Sequence, residues 1–222
     1  MINSSENGTT SPASWRIDSW FPDLSASEQE VFKKLDAMLK KFSKSINLVS
    51  SKSLLNSDAH HFADCIMASR IIVADQPRIH EIFDFGSGNG FPGLVFSILN
   101  PKTKVILVDS DQRKCEYLKA CTLELNLKNV SLIASTVESL PLNSVQFAMS
   151  RGLANISRSI LLARKCMVKG GMYYHLKGEQ WGLEVSQIPT QLCSIWSPAL
   201  VKEYKLPLGQ IKFSIVKTEK IK

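Results

Sequence analysis

The chain has 222 residues, 44% of them hydrophobic and 21% charged, which suits one main domain with modest extensions and a sizeable buried core. Its 11 Gly and 9 Pro are ordinary, and no apolar run nears the roughly 18 residues of a membrane span, so a membrane protein, a collagen-like fibre and a disordered chain are excluded. The net charge of +7 is uneven: residues 1–80 hold nine basic and nine acidic residues, and 81–222 hold eighteen and eleven, which suits an anionic partner or a solvated lysine surface.

Met1 to Ser14 is polar and lacks the basic and apolar regions of a secretion signal, so a flexible arm on a cytoplasmic protein is expected. Ser25 followed by Glu28 is a capping box, and Val31, Leu35, Met38, Leu39 and Phe42 then recur at helical spacing. A second helix is predicted around Asp58 to Val73, with Phe62, Ile66, Ser69 and Val73 on one side and Gln76-Pro77 at its end. Residues 15–78 therefore read as a helical extension leading into a main domain over 79–222. From Glu81 short apolar strands alternate with helices, the pattern of βαβ units on a parallel sheet. Strands are predicted at 81–85, 104–109, 130–134, 145–150 and 172–177, and helices at 92–99, 112–126, 155–167 and near 180–187. Gly170-Gly171 is expected as the turn before the fifth strand, and Leu200 to Leu206 with Ile211 to Val216 as a terminal hairpin around Pro207-Leu208-Gly209. Five cysteines without paired C-x-x-C spacing predict reduced thiols and no metal site.

The strand at 81–85 runs into Gly86-Ser87-Gly88-Asn89-Gly90-Phe91-Pro92-Gly93, where glycines allow a sharp turn and close approach to a ligand and Pro92 suits a first helical turn. The helix start would offer free N–H groups to an anion. Gly88-x-Gly90-x-x-Gly93, with Asp109 at the end of the next strand, fits a dinucleotide fingerprint and so an NAD-dependent oxidoreductase. Asp84 tilts the reading away from it, because a site for the ammonium of a methionine moiety uses an acid there and a nicotinamide site does not. The terminal hairpin tilts it the same way. Asp84-x-Gly86-x-Gly88-x-Gly90 resembles motif I of S-adenosylmethionine-dependent methyltransferases, with Asp109 as the acid for both ribose hydroxyls. A helix cap is the plainer role for Asp109. By the same resemblance Val137 and Glu138 would read adenine.

A methyl acceptor dictates residues of its own. An exocyclic amine calls for an Asn/Asp-Pro-Pro-aromatic box after the fourth strand, where Met149-Ser150-Arg151-Gly152-Leu153-Ala154 stands instead. A pyrimidine carbon calls for a nucleophilic cysteine there, and none is present. A ring nitrogen such as guanine N7 already has its lone pair free. Asp84 to Gly93, Val108-Asp-Ser110 with Arg113-Lys114 and Tyr117-Leu118, Val137-Glu138, Ser150-Arg151 and Leu176-Lys177-Gly178 together resemble the methyltransferase G family of bacterial small-subunit ribosomal RNA, also called glucose-inhibited division protein B. Asn47-Leu48 and His61-Phe62-Ala63-Asp64 match its upstream elements, and the similarity spans roughly residues 28–180.

The resemblance implies a class I S-adenosylmethionine-dependent methyltransferase: an α/β, Rossmann-like, seven-stranded, mostly parallel sheet with a C-terminal antiparallel hairpin and an N-terminal helical extension. It implies methyl transfer to N7 of a guanosine in 16S ribosomal RNA, free or in a small-subunit particle, by a cytoplasmic monomer. Cofactor-binding residues would be Asp84, Gly86, Gly88, Gly90, Phe91, Asp109, Val137, Glu138 and Arg151. Arg151, at the cofactor–acceptor junction, and Lys177 are the catalytic candidates. An ion pair with an acid such as Asp84 is the structural alternative for Arg151, and a helix-surface position that for His61. Lys202, Lys205, Lys212, Lys217, Lys220 and Lys222 could meet RNA phosphates or merely solvate an edge strand. A methyltransferase of another RNA, a protein or a small molecule, and a non-catalytic RNA-binding module, complete the alternatives.

Overall fold

Ser25 starts the first long helix as a reciprocal cap, its backbone N–H donating to Glu28 Oε2 at 2.7 Å and its Oγ accepting from Glu28 N–H at 3.3 Å. In the computed structural model, which describes residues 15–209 and 212–222, that helix, α2 (Ala26–Phe42), follows a single turn, α1 (Ile17–Trp20). The arm expected over 1–14, and Ile211 in the last predicted strand, lie outside the described residues. A short α3 (Ser51–Leu54) comes next. The helix predicted from Asp58 opens with a π-helical turn (Asp58–Ala63) and continues as α4 (Asp64–Asp75). Arg16 braces the wider turn, donating to Asp58 at 2.7 and 2.8 Å and to Asn56 at 3.1 Å.

The alternating region then lays down β1 (Glu81–Phe85), α5 (Gly93–Leu99), β2 (Lys104–Asp109), α6 (Gln112–Glu124), β3 (Val130–Ala134), β4 (Val145–Arg151), α7 (Ile156–Ala163) and β5 (Met167–Lys177). Two short helices, α8 (Trp181–Ser186) and α9 (Thr190–Cys193), precede β6 (Trp196–Lys205) and β7 (Lys212–Lys220). The sheet order is β3-β2-β1-β4-β5-β7-β6, with the first five strands parallel and β7 antiparallel to both neighbours. The order reverses between β1 and β4, where an open α/β sheet places its ligands. Among the described residues no helix is long and apolar enough to cross a membrane.

Three predicted features differ. Gly170-Gly171 is no turn ahead of β5; it lies inside the strand, at the register shift between Val145/Met167 and Phe147/Met172. Gly170, at φ +75°, lets β5 bulge and carry on, so the strand begins at Met167 and α7 ends early, at Ala163. The hairpin is longer than its apolar stretches, because β6 and β7 pair from Trp196/Lys220 to Lys205/Lys212. The π turn has no signal in the hydrophobic spacing.

Helices cover both faces of the sheet. On one, Ile17, Phe32, Leu35, Phe62 and Ile66 of the helical extension share a buried cluster with Leu94, Phe96 and Tyr117. On the other, Phe85, Ile160, Tyr173 and Trp196 form a second cluster. His175 is buried between the Tyr173 ring, 4.0 Å away, and Thr218 Oγ1 at 2.9 Å. Phe62 is the hub of the first core, its ring 5.0 Å from Trp15, 5.8 Å from Phe32 and 4.9 Å from Phe91 of the glycine loop. We propose that 15–78 and 79–222 therefore unfold together. Phe62→Ala should cost about 3–5 kcal/mol in urea denaturation, as deletion of a buried ring does, with one shared transition. A separate, earlier transition of the N-terminal helices would contradict this.

Candidate functional site

The glycine loop between β1 and α5 is pinned from behind. Gly86 and Ser87 N–H donate to Val108 O at 2.8 and 3.0 Å, and Ser87 Oγ donates to Asp84 O while accepting from Val108 N–H. Its glycines are needed for packing as well as for turning. A Cβ on Gly93 would collide with Leu107 Cδ2 and lie 2.5 Å from Asp84 Oδ2, and one on Gly90, at φ +88°, would lie 2.5 Å from Leu94 Cδ1. The loop therefore sits flush on β2 and α5.

Asp109 crosses to the loop, one carboxylate oxygen accepting from Gly88 N–H at 2.7 Å and the other from Asp111 N–H at 2.9 Å. It is not the cap of α6; Asp111 is, accepting from Arg113 and Lys114 N–H. A cavity of about 560 Å³, within the roughly 300–1,000 Å³ usual for small-molecule sites, opens over the ends of β1, β2 and β4. Gly86, Gly88, Asp109, Val137, Glu138 and Arg151 line it, six of the nine residues expected at a cofactor.

The other three stand elsewhere. Asp84 is fully buried behind the cavity wall; its Oδ2 accepts from Gly93 N–H at 2.9 Å and its Oδ1 has no partner among the described residues. Burial pushes its carboxyl up to about 7. The N–H expected to meet an anion at the start of α5 is thus already taken by the chain's own acid. Gly90 packs on α5, and Phe91 is buried between Phe62 and His61, with the Arg151 guanidinium 5.6 Å above its ring. The motif registered that these positions are constrained; that the constraint is packing needed the structure. Leu48 and Leu153, neither expected at a cofactor, also line the cavity.

A second cavity, of about 490 Å³, opens over β4 and β5 and is lined by His60, His61, Asp64, Lys177 and Phe213 among others. Arg151 belongs to both walls. Its ion pair is with Asp64 at 3.1 Å, not with Asp84, because the π turn carries Asp64 and His61 across the sheet end. It also donates to His60 O and to His61 Nδ1, each at 2.8 Å. A guanidinium only donates, so Nδ1 is the acceptor and the His61 proton is on Nε2, donated to Ser53 Oγ at 2.8 Å. Burial and the Arg151 charge hold His61 neutral, at about 3, so it is a buried partner of Arg151 and not a helix-surface residue. Tyr204 closes the chain of contacts, its phenol donating to Asp64 Oδ1 at 2.6 Å and held protonated by burial and that carboxylate.

Lys177 lines the second cavity, but its ammonium donates to Ala154 O at 2.7 Å and pairs with Glu184 at 2.8 Å. Glu184 in turn accepts from Ile156 N–H. The lysine thereby clamps the loop after β4. In the tail, Lys217 pairs with Asp75 and Lys220 donates to Arg164 and Met167 carbonyls, which leaves Lys202, Lys205, Lys212 and Lys222 exposed.

A family model described as GidB, rRNA small subunit methyltransferase G, matches residues 28–199. Ribosomal RNA small subunit methyltransferase G 3 of Bdellovibrio bacteriovorus is 54% identical over 207 residues, covering 93% of this chain and 94% of the relative. Ribosomal RNA small subunit methyltransferase G of Cereibacter sphaeroides is 30% identical, covering 76% and 87%. In fold, the chain is similar to a SAM-dependent methyltransferase from Aquifex aeolicus, with TM-score 0.55 at 15% identity over 83% of this chain and 98% of that one.

Burial holds His61 and His175 at about 3, below the imidazole's ordinary 6.5, and lifts Asp84 from 3.8 to about 7. Between roughly pH 4 and 6.5 the unfolded chain binds two more protons at the imidazoles, and the folded chain one more at Asp84. The balance favours the unfolded state, so the melting temperature should fall on acidification from pH 7 to 4.5, and His175→Gln should flatten that slope. A melting temperature that rises on acidification would contradict the assignment.

Proposed function

Because the chain belongs to the ribosomal RNA small-subunit methyltransferase G family, we propose that it transfers a methyl group from S-adenosylmethionine to N7 of a guanosine in 16S ribosomal RNA. The observation that carries this reading is the meeting of two cavities at Arg151, of which the first would take the nucleoside cofactor and the second its acceptor.

The residues present fit the cofactor. Each Asp109 oxygen accepts one backbone N–H, so a lone pair on each remains for a ribose hydroxyl. The unpartnered Asp84 Oδ1 is a buried acceptor behind the loop, and the ammonium of the methionine end, brought against that loop, would favour its ionised form. Gly86 and Gly88 would lie against the same end, and Val137 and Glu138 against adenine. A pyrophosphate-linked cofactor fits worse, because Asp84 takes the Gly93 N–H that would otherwise face phosphate. Bound S-adenosylmethionine supplies an electrophilic methyl group on a sulfonium.

N7 of guanine needs no base to free its lone pair, and the surroundings accord with that. His61 is neutral with both nitrogens engaged, Lys177 is clamped, and among the described residues no cysteine lines either cavity. What remains for the chain is to place two ligands and keep water out. Arg151 stands fixed between them. The substrate is RNA, free or in a small-subunit particle, met in the cytoplasm by a monomer with Lys52 exposed and Lys114 half-buried on the cavity walls.

In titration calorimetry the protein should bind S-adenosylhomocysteine and not NAD; binding of NAD alone would refute the proposal. With labelled S-adenosylmethionine it should label small-subunit RNA at a position revealed by borohydride–aniline cleavage, and an absence of label on both naked RNA and particles would count against catalysis. Asp109→Ala should weaken S-adenosylhomocysteine binding roughly 10- to 100-fold, the loss of about 1.5–3 kcal/mol in hydrogen bonds to a charged group. Unchanged affinity would reduce Asp109 to a brace for the loop.

A further inference from the structure

The second cavity contains one feature the cofactor does not require, an aromatic wall. Phe213 of β7 is the one phenyl ring among its described lining residues. It is half-buried, backed by Tyr204 in a stacked arrangement with centroids 6.0 Å apart and planes 28° apart. Tyr204 is fixed in its turn by Asp64, which also pairs with Arg151. The ring therefore rests on the same rigid set of side chains that positions the guanidinium between the cavities. The cavity lies on the β4–β5 side of the point where the sheet order reverses, and the cofactor cleft lies on the β1–β2 side. Exposed Lys52 and His60 stand at its rim.

A base whose ring nitrogen is to meet a reagent in a cleft must leave its stack, and proteins that hold such bases replace the lost stacking with an aromatic face. Arginine donors complement the guanine O6, while N7 has to stay free for the methyl group. About 490 Å³ accommodates a nucleoside. We propose that this cavity holds the extruded acceptor guanine, stacked on Phe213, with its phosphate toward Lys52; the inference rests on the methyltransferase reading above. Phe213 sets the position of the base relative to the cofactor, and Tyr204 and Asp64 hold Phe213 and Arg151 in register.

The test uses the full chain and small ribosomal subunits isolated from cells that lack this modification. Phe213→Leu keeps an apolar side chain and removes the ring face, and Phe213→Tyr keeps the ring. Leu should raise KM for the particles roughly 10- to 100-fold, the effect of losing one base–aromatic stack, with S-adenosylhomocysteine affinity unchanged within about twofold. Tyr should restore KM. A near-wild-type KM for Leu, a parallel loss of S-adenosylhomocysteine affinity, or a Tyr variant as poor as Leu would each overturn the proposal. A wild-type protein that methylates neither particles nor naked RNA would overturn it together with the reading beneath it, a failure seen before any variant is made.

Discussion

The ion pair between Arg151 and Asp64 is the contact on which the site depends. It joins the end of a central strand to the first turn of a helix 87 residues earlier in the chain, and both groups are largely removed from water. A buried pair of this kind adds little net stability. Removing one partner, however, strands a charge in a poor solvent at a cost of about 3–5 kcal/mol. The surrounding contacts make the pair tolerable: His60 O and His61 Nδ1 take further guanidinium donors, and Tyr204 satisfies the other Asp64 oxygen. With three hydrogen-bonding partners within residues 60–64 and the Phe91 ring against its face, the guanidinium has one place to be, and that place is the partition between the cavities.

The helical extension is thereby part of the site. Its π turn brings His60, His61 and Asp64 over the carboxyl ends of β4 and β5, and Arg16 holds that turn by its bidentate contact with Asp58. π turns of this kind occur often where a helix must present side chains at an unusual angle. On the opposite side of Arg151, the glycine loop is drawn onto β2 by Ser87 and onto α5 by Asp84, so the floor of the cofactor cleft is set before any ligand arrives.

Much of this was legible in the residues. The five parallel strands, the hairpin and the capped helix follow from period-2 and period-3.6 patterns and from Ser25 with Glu28, which act locally. Asp109, Gly86 and Arg151 stand on the cleft wall because each is tied to a strand end, and Val137 because it closely follows β3. Gly90 and Phe91 pack into the core, since a motif marks a position as constrained without saying whether ligand or core imposes the constraint. The partner of Arg151 was also out of reach: Asp64 and His61 lie 87 and 90 residues from it, Tyr204 lies 140 residues from Asp64, and they meet only through the tertiary fold. Lys177 gives the same signal as Arg151 at a strand end, and only its contacts with Ala154 O and Glu184 show that it clamps a loop.

The central claim is a division of labour across Arg151, with the cofactor on the Asp109 side and the acceptor on the His61 side. A crystal structure of the protein with S-adenosylhomocysteine tests it most directly. The account predicts density for the ligand in the cleft, its ribose hydroxyls on Asp109 and its adenine beside Val137, with the cavity at Phe213 free of it. Density for the ligand in the Phe213 cavity, or contact with neither Asp109 nor Gly86, would contradict it.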